Sequence, residues 1–142
     1  MDETAYQQTL ASSLHRYCPF EKTLLTHCAV CSKADKRNIA EREVLTCHSA
    51  EAHEHCIALR DLLRQNFTFA MGKLQIDGPL PHAQEMRMQC GGLKGIQFAL
   101  DGSNEVFDVS GLLDLAQQHY GVLKDFPYDI VVQRAMTDFR FR

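Results

Sequence analysis

The chain has 142 residues, a length typical of one domain with its own hydrophobic core. Hydrophobic residues make up 45% of it and charged residues 23%, proportions that exclude a disordered or fibrous protein. The net charge of −3 supplies no basic field for nucleic acid, and no apolar run approaches the roughly 18 residues of a membrane span. The N-terminus carries no export signal. We therefore expect a cytoplasmic protein with no nucleic-acid or membrane partner.

Three helices are predicted in the first half of the chain. Residues 2–17 place apolar side chains at helical spacing, and the proline after Cys18 ends this helix. Residues 33–45 carry alternating charges around a few apolar positions, which predicts a shorter, more exposed helix. The strongest pattern is an apolar stripe at residues 49–71, which starts at Ser49, a typical N-cap residue.

The second half of the chain predicts strands and turns, with one more helix. The predicted strands are residues 74–76, 96–100, 106–109, 128–132 and 137–141. Asp101-Gly102 lies between two of them and predicts a β-hairpin. The helix is predicted at residues 110–120 and ends at Gly121.

Together these patterns predict an α+β fold in a single domain, residues 1–142. A helical, cysteine-rich and metal-binding half, residues 1–72, packs on a small antiparallel or mixed sheet with one further helix. The strand-rich half is residues 73–142.

Cysteines provide the main chemical signal, because five of the six lie between residues 18 and 56. In a reducing cytoplasm, clustered cysteines indicate metal or redox chemistry. Cys28 and Cys31 are separated by two residues, so a tight loop can turn both sulfurs toward one ion. We predict a metal centre with ligands drawn from Cys18, Cys28, Cys31, Cys47 and Cys56.

The choice of four ligands stays open at this point. A straight helix at residues 33–45, with its rise of about 1.5 Å per residue, separates Cys47 from Cys31 by some 20 Å. The ligands are then Cys18, Cys28 and Cys31, completed by Cys56 or by Cys90, which lies next to Gly91-Gly92. If loops interrupt that helix, the ligands are Cys28, Cys31, Cys47 and Cys56.

An iron–sulfur cluster suits such scattered thiolates better than zinc does, since compact zinc sites pair two close-spaced couples. The leading hypothesis is a small cytoplasmic iron–sulfur protein with one 4Fe–4S cluster. It acts in electron transfer or as an accessory to a redox system, with a redox protein as its partner. No catalytic motif establishes whether it is an enzyme.

Two alternatives remain beside this hypothesis. One is a thiol–disulfide oxidoreductase that uses Cys28 and Cys31. The other is a zinc-stabilised interaction module, an option kept open by the nearby histidines, His27, His48, His53 and His55.

Overall fold

The computed structural model describes residues 16–137, which form five α-helices and a short β-hairpin. The elements in chain order are α1 Glu21–Leu25, β1 Ala34–Ile39, β2 Arg42–Cys47, α2 Ala50–Phe67, α3 His82–Asp101, α4 Val109–Tyr120, a 3-10 helix Leu123–Asp125, and α5 Tyr128–Thr137. Helices with a two-stranded antiparallel sheet confirm the predicted α+β class. The predicted helix at residues 2–17, except for its last two residues, and the predicted strand after residue 137 lie outside the described residues.

A β-hairpin replaces the helix predicted at residues 33–45. Strands β1 and β2 pair antiparallel, and the turn between them consists of Ala40 and Glu41. Both turn residues have positive φ, 50° and 67°, as the tightest hairpin turns require. The charges that suggested a helix lie on the hairpin surface, where Lys36 and Glu43 form an ion pair at 3.5 Å across the strands.

The segment before α1 continues this sheet on the outer side of β2. Tyr17 forms an isolated antiparallel bridge with Thr46. The Cys18 N–H donates to the Leu45 carbonyl at 3.0 Å, and the Cys47 N–H donates to the Arg16 carbonyl at 2.9 Å. These bonds hold Cys18 beside the end of β2.

Helix α2 confirms the strongest sequence pattern. Ser49 is its N-cap, and the Ser49 Oγ accepts a hydrogen bond from the Ala52 N–H at 3.1 Å. Its apolar stripe is fully buried at Leu59, Leu63 and Phe67. Buried side chains of α2, α3, α4 and α5 form one hydrophobic core.

Helix α3 covers the first strand of the β-hairpin predicted at residues 96–109, so that prediction is wrong. Gly102 is the left-handed cap of this helix, with φ 79°, and its N–H donates to the Phe98 carbonyl at 2.8 Å. Within the helix, Gly95 allows close contact with α5, because a Cβ there would lie 2.8 Å from the Val131 carbonyl oxygen. Helix α3 therefore comes close to α5 at a position where it has no side chain.

The last two helices give opposite outcomes for the sequence predictions. Helix α4 confirms the helix predicted at residues 110–120, and Gly121 ends it as expected. The strand predicted at residues 128–132 is wrong, since α5 runs there with Val131 and Ala135 buried on one helical face. No helix within residues 16–137 is long and apolar enough to cross a membrane.

Candidate functional site

The six cysteines separate into two groups. Cys28 and Cys90 form a disulfide. The other four are free thiols that line one cavity: Cys18, Cys31, Cys47 and Cys56. The structure thus brings four of the five predicted site residues together and places the fifth, Cys28, elsewhere.

The disulfide joins the loop after α1 to the middle of α3. Its Cα atoms are 6.2 Å apart across a sequence separation of 62 residues. Cys28 is half-buried, whereas Cys90 is 0% exposed. Cys28 is therefore the more accessible of the two cysteines, and Cys90 is closed to an approaching thiol.

A constrained loop presents Cys28 to α3. His27, the preceding residue, has a φ of 62°, a left-handed conformation that costs a non-glycine residue about 1 kcal/mol. The Cys28 N–H donates to the Thr23 carbonyl at 3.0 Å. On the other side, Ala29 forms an isolated parallel bridge with Val106. The loop is thus fixed on both sides of Cys28.

The same loop explains why Cys28 and Cys31 do not pair. Ala29 is buried and Val30 is exposed, the alternation of an extended segment. Three extended residues span about 10 Å between Cα atoms, and a disulfide tolerates roughly 7 Å at most. Cys31 turns into the cavity instead. The alternative pairing of Cys28 with Cys31 is wrong, and Cys90 is the partner.

The cavity lined by the four free thiols has a volume of about 20 Å³, roughly the space for one water molecule. Its walls come from separate elements: Cys18 precedes α1, Cys31 follows the extended loop, Cys47 ends β2 and Cys56 lies on α2. Apolar side chains and His53 also line it. The Cys47 Sγ donates to the Ser49 carbonyl at 3.2 Å.

Burial governs the ionisation of these thiols. It raises the pKa of Cys18 to about 12, an effect that outweighs a hydrogen bond from the Phe20 backbone. Burial also raises the pKa of Cys31 and of Cys56, and the other cavity thiols add to both shifts. Each of these three thiols is therefore harder to ionise than a free cysteine, which makes it a weaker nucleophile.

No protein-family model matches this chain, and no curated protein or solved structure matches it. The chemistry of its own residues therefore carries the functional argument.

That chemistry contradicts the metal centre predicted from the sequence. Within residues 16–137, no three His, Cys, Asp or Glu side chains are placed so that they could hold a metal ion. Cys28, which belongs to every predicted ligand set, is bonded to Cys90. The 4Fe–4S cluster, the zinc alternative and the functions built on them are wrong.

Sequence reasoning held Cys90 in reserve as a ligand, whereas the structure makes it half of the disulfide. Helical spacing was the signal that could have placed it. Met86 and Leu93 lie four residues before and three residues after Cys90, and both are fully buried. On a helix this spacing puts Cys90 on the face that meets the core.

Proposed function

We propose that this protein is a cytoplasmic thiol–disulfide exchange protein whose working pair is Cys28 and Cys90. The observation that carries this proposal is the asymmetry of the disulfide, with one half-buried cysteine and one that is 0% exposed. Attack on the disulfide is directed to Cys28 by this asymmetry, and Cys90 is the protected leaving group.

The exchange proceeds in two balanced steps with a dithiol substrate. A substrate thiolate attacks the Cys28 Sγ, the bond to Cys90 breaks, and the Cys90 sulfur leaves with the electron pair and takes up a proton. The second substrate thiolate then attacks the substrate sulfur of the mixed disulfide. The Cys28 sulfur leaves with the electron pair and is protonated. The substrate becomes a disulfide, and the protein gains two electrons and two protons.

The surroundings of Cys28 favour a protein or peptide dithiol as the substrate. Val30 is 59% exposed and Phe107 is 76% exposed. The Val30 N–H donates to the Val106 carbonyl at 3.4 Å, which brings these two apolar side chains next to the loop of Cys28. A redox protein as partner, expected from the sequence, fits an apolar rim better than a small hydrophilic thiol does.

A cytoplasmic location supports reversible chemistry at this pair. Disulfides in a reducing compartment are mostly transient and redox-active, whereas exported proteins use them as permanent staples. Four neighbouring cysteines that remain thiols around one cavity also suit a reducing compartment.

The first test is the redox equilibrium of the pair. The purified protein is equilibrated in dithiothreitol buffers of graded potential, quenched with acid and alkylated, and peptides containing Cys28 and Cys90 are weighed by mass spectrometry. We expect a midpoint of about −200 to −270 mV, the range of thioredoxin and the glutaredoxins. A pair that stays oxidised far below −300 mV is a structural staple and contradicts the proposal.

The second test is the transfer of electrons from a dithiol peptide to the oxidised protein. We expect both Cys28→Ser and Cys90→Ser to abolish transfer, because neither variant has the disulfide that accepts the electrons. Cys90→Ser keeps the Cys28 thiol and should form a mixed disulfide with the disulfide-linked dimer of a peptide that has one cysteine, releasing the other peptide as a thiol. Cys31→Ser is the matched control and should transfer at the wild-type rate. A wild-type protein that carries a tightly held metal ion, lost in Cys56→Ala, would overturn the proposal.

A further inference from the structure

A chain of buried polar side chains links the two elements that carry the disulfide. The Thr23 Oγ1, on α1, donates to the Gln89 Oε1 on α3 at 3.0 Å. The Gln89 Nε2 donates to the Glu85 Oε1 at 2.9 Å. The Glu85 Oε2 also accepts from the Leu80 N–H at 3.2 Å. All three polar side chains thus have partners.

Packing alone does not account for this series of hydrogen-bonded side chains. Thr23 is 0% exposed, Glu85 3% and Gln89 5%, and burial of polar groups is costly unless each one is hydrogen-bonded. Valine has nearly the shape of threonine and would fill the position of Thr23 without a hydroxyl to satisfy. The Thr23 hydroxyl therefore indicates a role that a valine side chain could not perform.

The polar chain runs alongside the disulfide. Gln89 immediately precedes Cys90 on α3. At the other end, the Thr23 carbonyl holds the Cys28 N–H at 3.0 Å. The hydrogen bonds and the disulfide therefore connect the same two places. The hydrogen bond between Thr23 and Gln89 involves neither sulfur, so opening of the disulfide does not itself break it.

We propose that Thr23 is a positioning residue that, through Gln89, keeps the reduced Cys28 thiol next to Cys90. The proposal rests on the exchange function given above and adds a residue to it. In the oxidised protein the covalent bond makes this link redundant. In the reduced protein the link limits the movement of the loop and raises the effective concentration of one thiol at the other.

The test compares Thr23→Val with Thr23→Ser by the equilibrium constant for closing the disulfide in dithiothreitol buffers. We expect closure to weaken about fivefold in Thr23→Val, the worth of one hydrogen bond of roughly 1 kcal/mol. Thr23→Ser keeps a hydroxyl and should stay close to wild type. Thermal unfolding of the oxidised variants confirms that both are folded.

Thr26→Val is the matched control. The Thr26 hydroxyl donates to the Lys22 carbonyl at 2.7 Å, within the same turn, and none of its hydrogen bonds reaches α3. This variant should close its disulfide like the wild type. If Thr23→Val does not fold, Gln89→Met, which keeps the side-chain length without the hydrogen bonds, takes its place and should show the same loss.

The outcomes separate the two proposals, because the dithiothreitol equilibrium needs no substrate dithiol. An unchanged closure constant in Thr23→Val or Gln89→Met overturns the positioning role. A fivefold loss in a protein that transfers no electrons to a dithiol peptide supports positioning and contradicts the exchange function.

Discussion

The disulfide site and the thiol cavity contain the same amino acid in opposite chemical states. At the disulfide, Cys28 and Cys90 come from two elements that a buried hydrogen-bond chain also joins. In the cavity, four thiols approach one another in an apolar space, and burial raises the pKa of Cys18 to about 12. Closeness of thiols alone does not create reactivity, because burial disfavours the thiolate and nearby thiols disfavour it further.

The largest expected difference between the two regions is in stability on reduction. A sequence separation of 62 residues makes the disulfide worth about 4 kcal/mol in the free energy of unfolding, since it restricts the unfolded chain. Urea unfolding of the oxidised and reduced protein measures this loss. Cys31→Ser should lose as much on reduction as the wild type does. A loss below about 1 kcal/mol would show that the cross-link adds little to this fold.

A smaller effect should separate two replacements of a cavity thiol. Cys56 is 9% exposed and acts as a small hydrophobic group. Cys56→Ser buries a hydroxyl in apolar surroundings, so we expect it to lower the free energy of unfolding by about 1–3 kcal/mol. Cys56→Ala keeps the site apolar and should cost less.

Cys47→Ser is the control for this comparison. Its hydroxyl can still donate to the Ser49 carbonyl, as the Cys47 Sγ does at 3.2 Å, so its unfolding free energy should stay near that of the wild type. Chemical denaturation measures all three variants. Equal losses in Cys56→Ser and Cys56→Ala would mean that the sulfur itself, rather than the apolar character of the site, holds the cavity together.

A further effect is expected only at alkaline pH. The pKa of Cys18 is raised from 9.0 to about 12 in the folded protein, with burial as the main cause. Between these values the unfolded chain releases a proton that the folded chain retains, so stability is complete below pH 9 and falls as pH rises toward 12. Unfolding free energies at pH 7.5, 9, 10 and 11 measure this decline. Cys18→Ala should show a shallower decline, and an identical one would place the alkaline sensitivity elsewhere.

Sequence patterns predicted α2 and α4 well because their signals are local and agree. Each helix has an apolar stripe with a period of 3.6 residues. Ser49 caps the start of α2, and Gly121 ends α4. The burial of Cys56 on the stripe of α2 follows from the same period.

The sequence predicted a hairpin where the end of α3 forms and a helix where the β1–β2 hairpin forms. Both errors have a physical reason. Asp101-Gly102 suits a hairpin turn and also a helix C-cap, because both require a residue with positive φ. The choice between them depends on the packing of α3 against α5, which no local pattern reveals. At Ala40 and Glu41, by contrast, a tight hairpin turn forms without the glycine or asparagine that usually marks it.

Prediction of the site failed where it depended on spacing. The two residues between Cys28 and Cys31 suggested a shared loop, but their extended backbone separates the two thiols. The true partner of Cys28 lies 62 residues away on a helix of which only the last part, residues 96–100, had been predicted, as a strand. The gathering of Cys18, Cys31, Cys47 and Cys56 around one cavity depends on the hairpin, which was itself predicted as a helix.

The long sequence separation of the disulfide also determines how the protein would respond to mechanical force. Pulling on the two ends of the oxidised chain transmits tension through the bond between Cys28 and Cys90. The hairpin and α2 lie wholly inside the closed loop, so the bond keeps their backbone from being extended. Reduction would release the enclosed chain, adding roughly 210 Å of contour length for a separation of 62 residues at about 3.4 Å each. The thiol state of one pair thus determines whether nearly half of the molecule can be stretched.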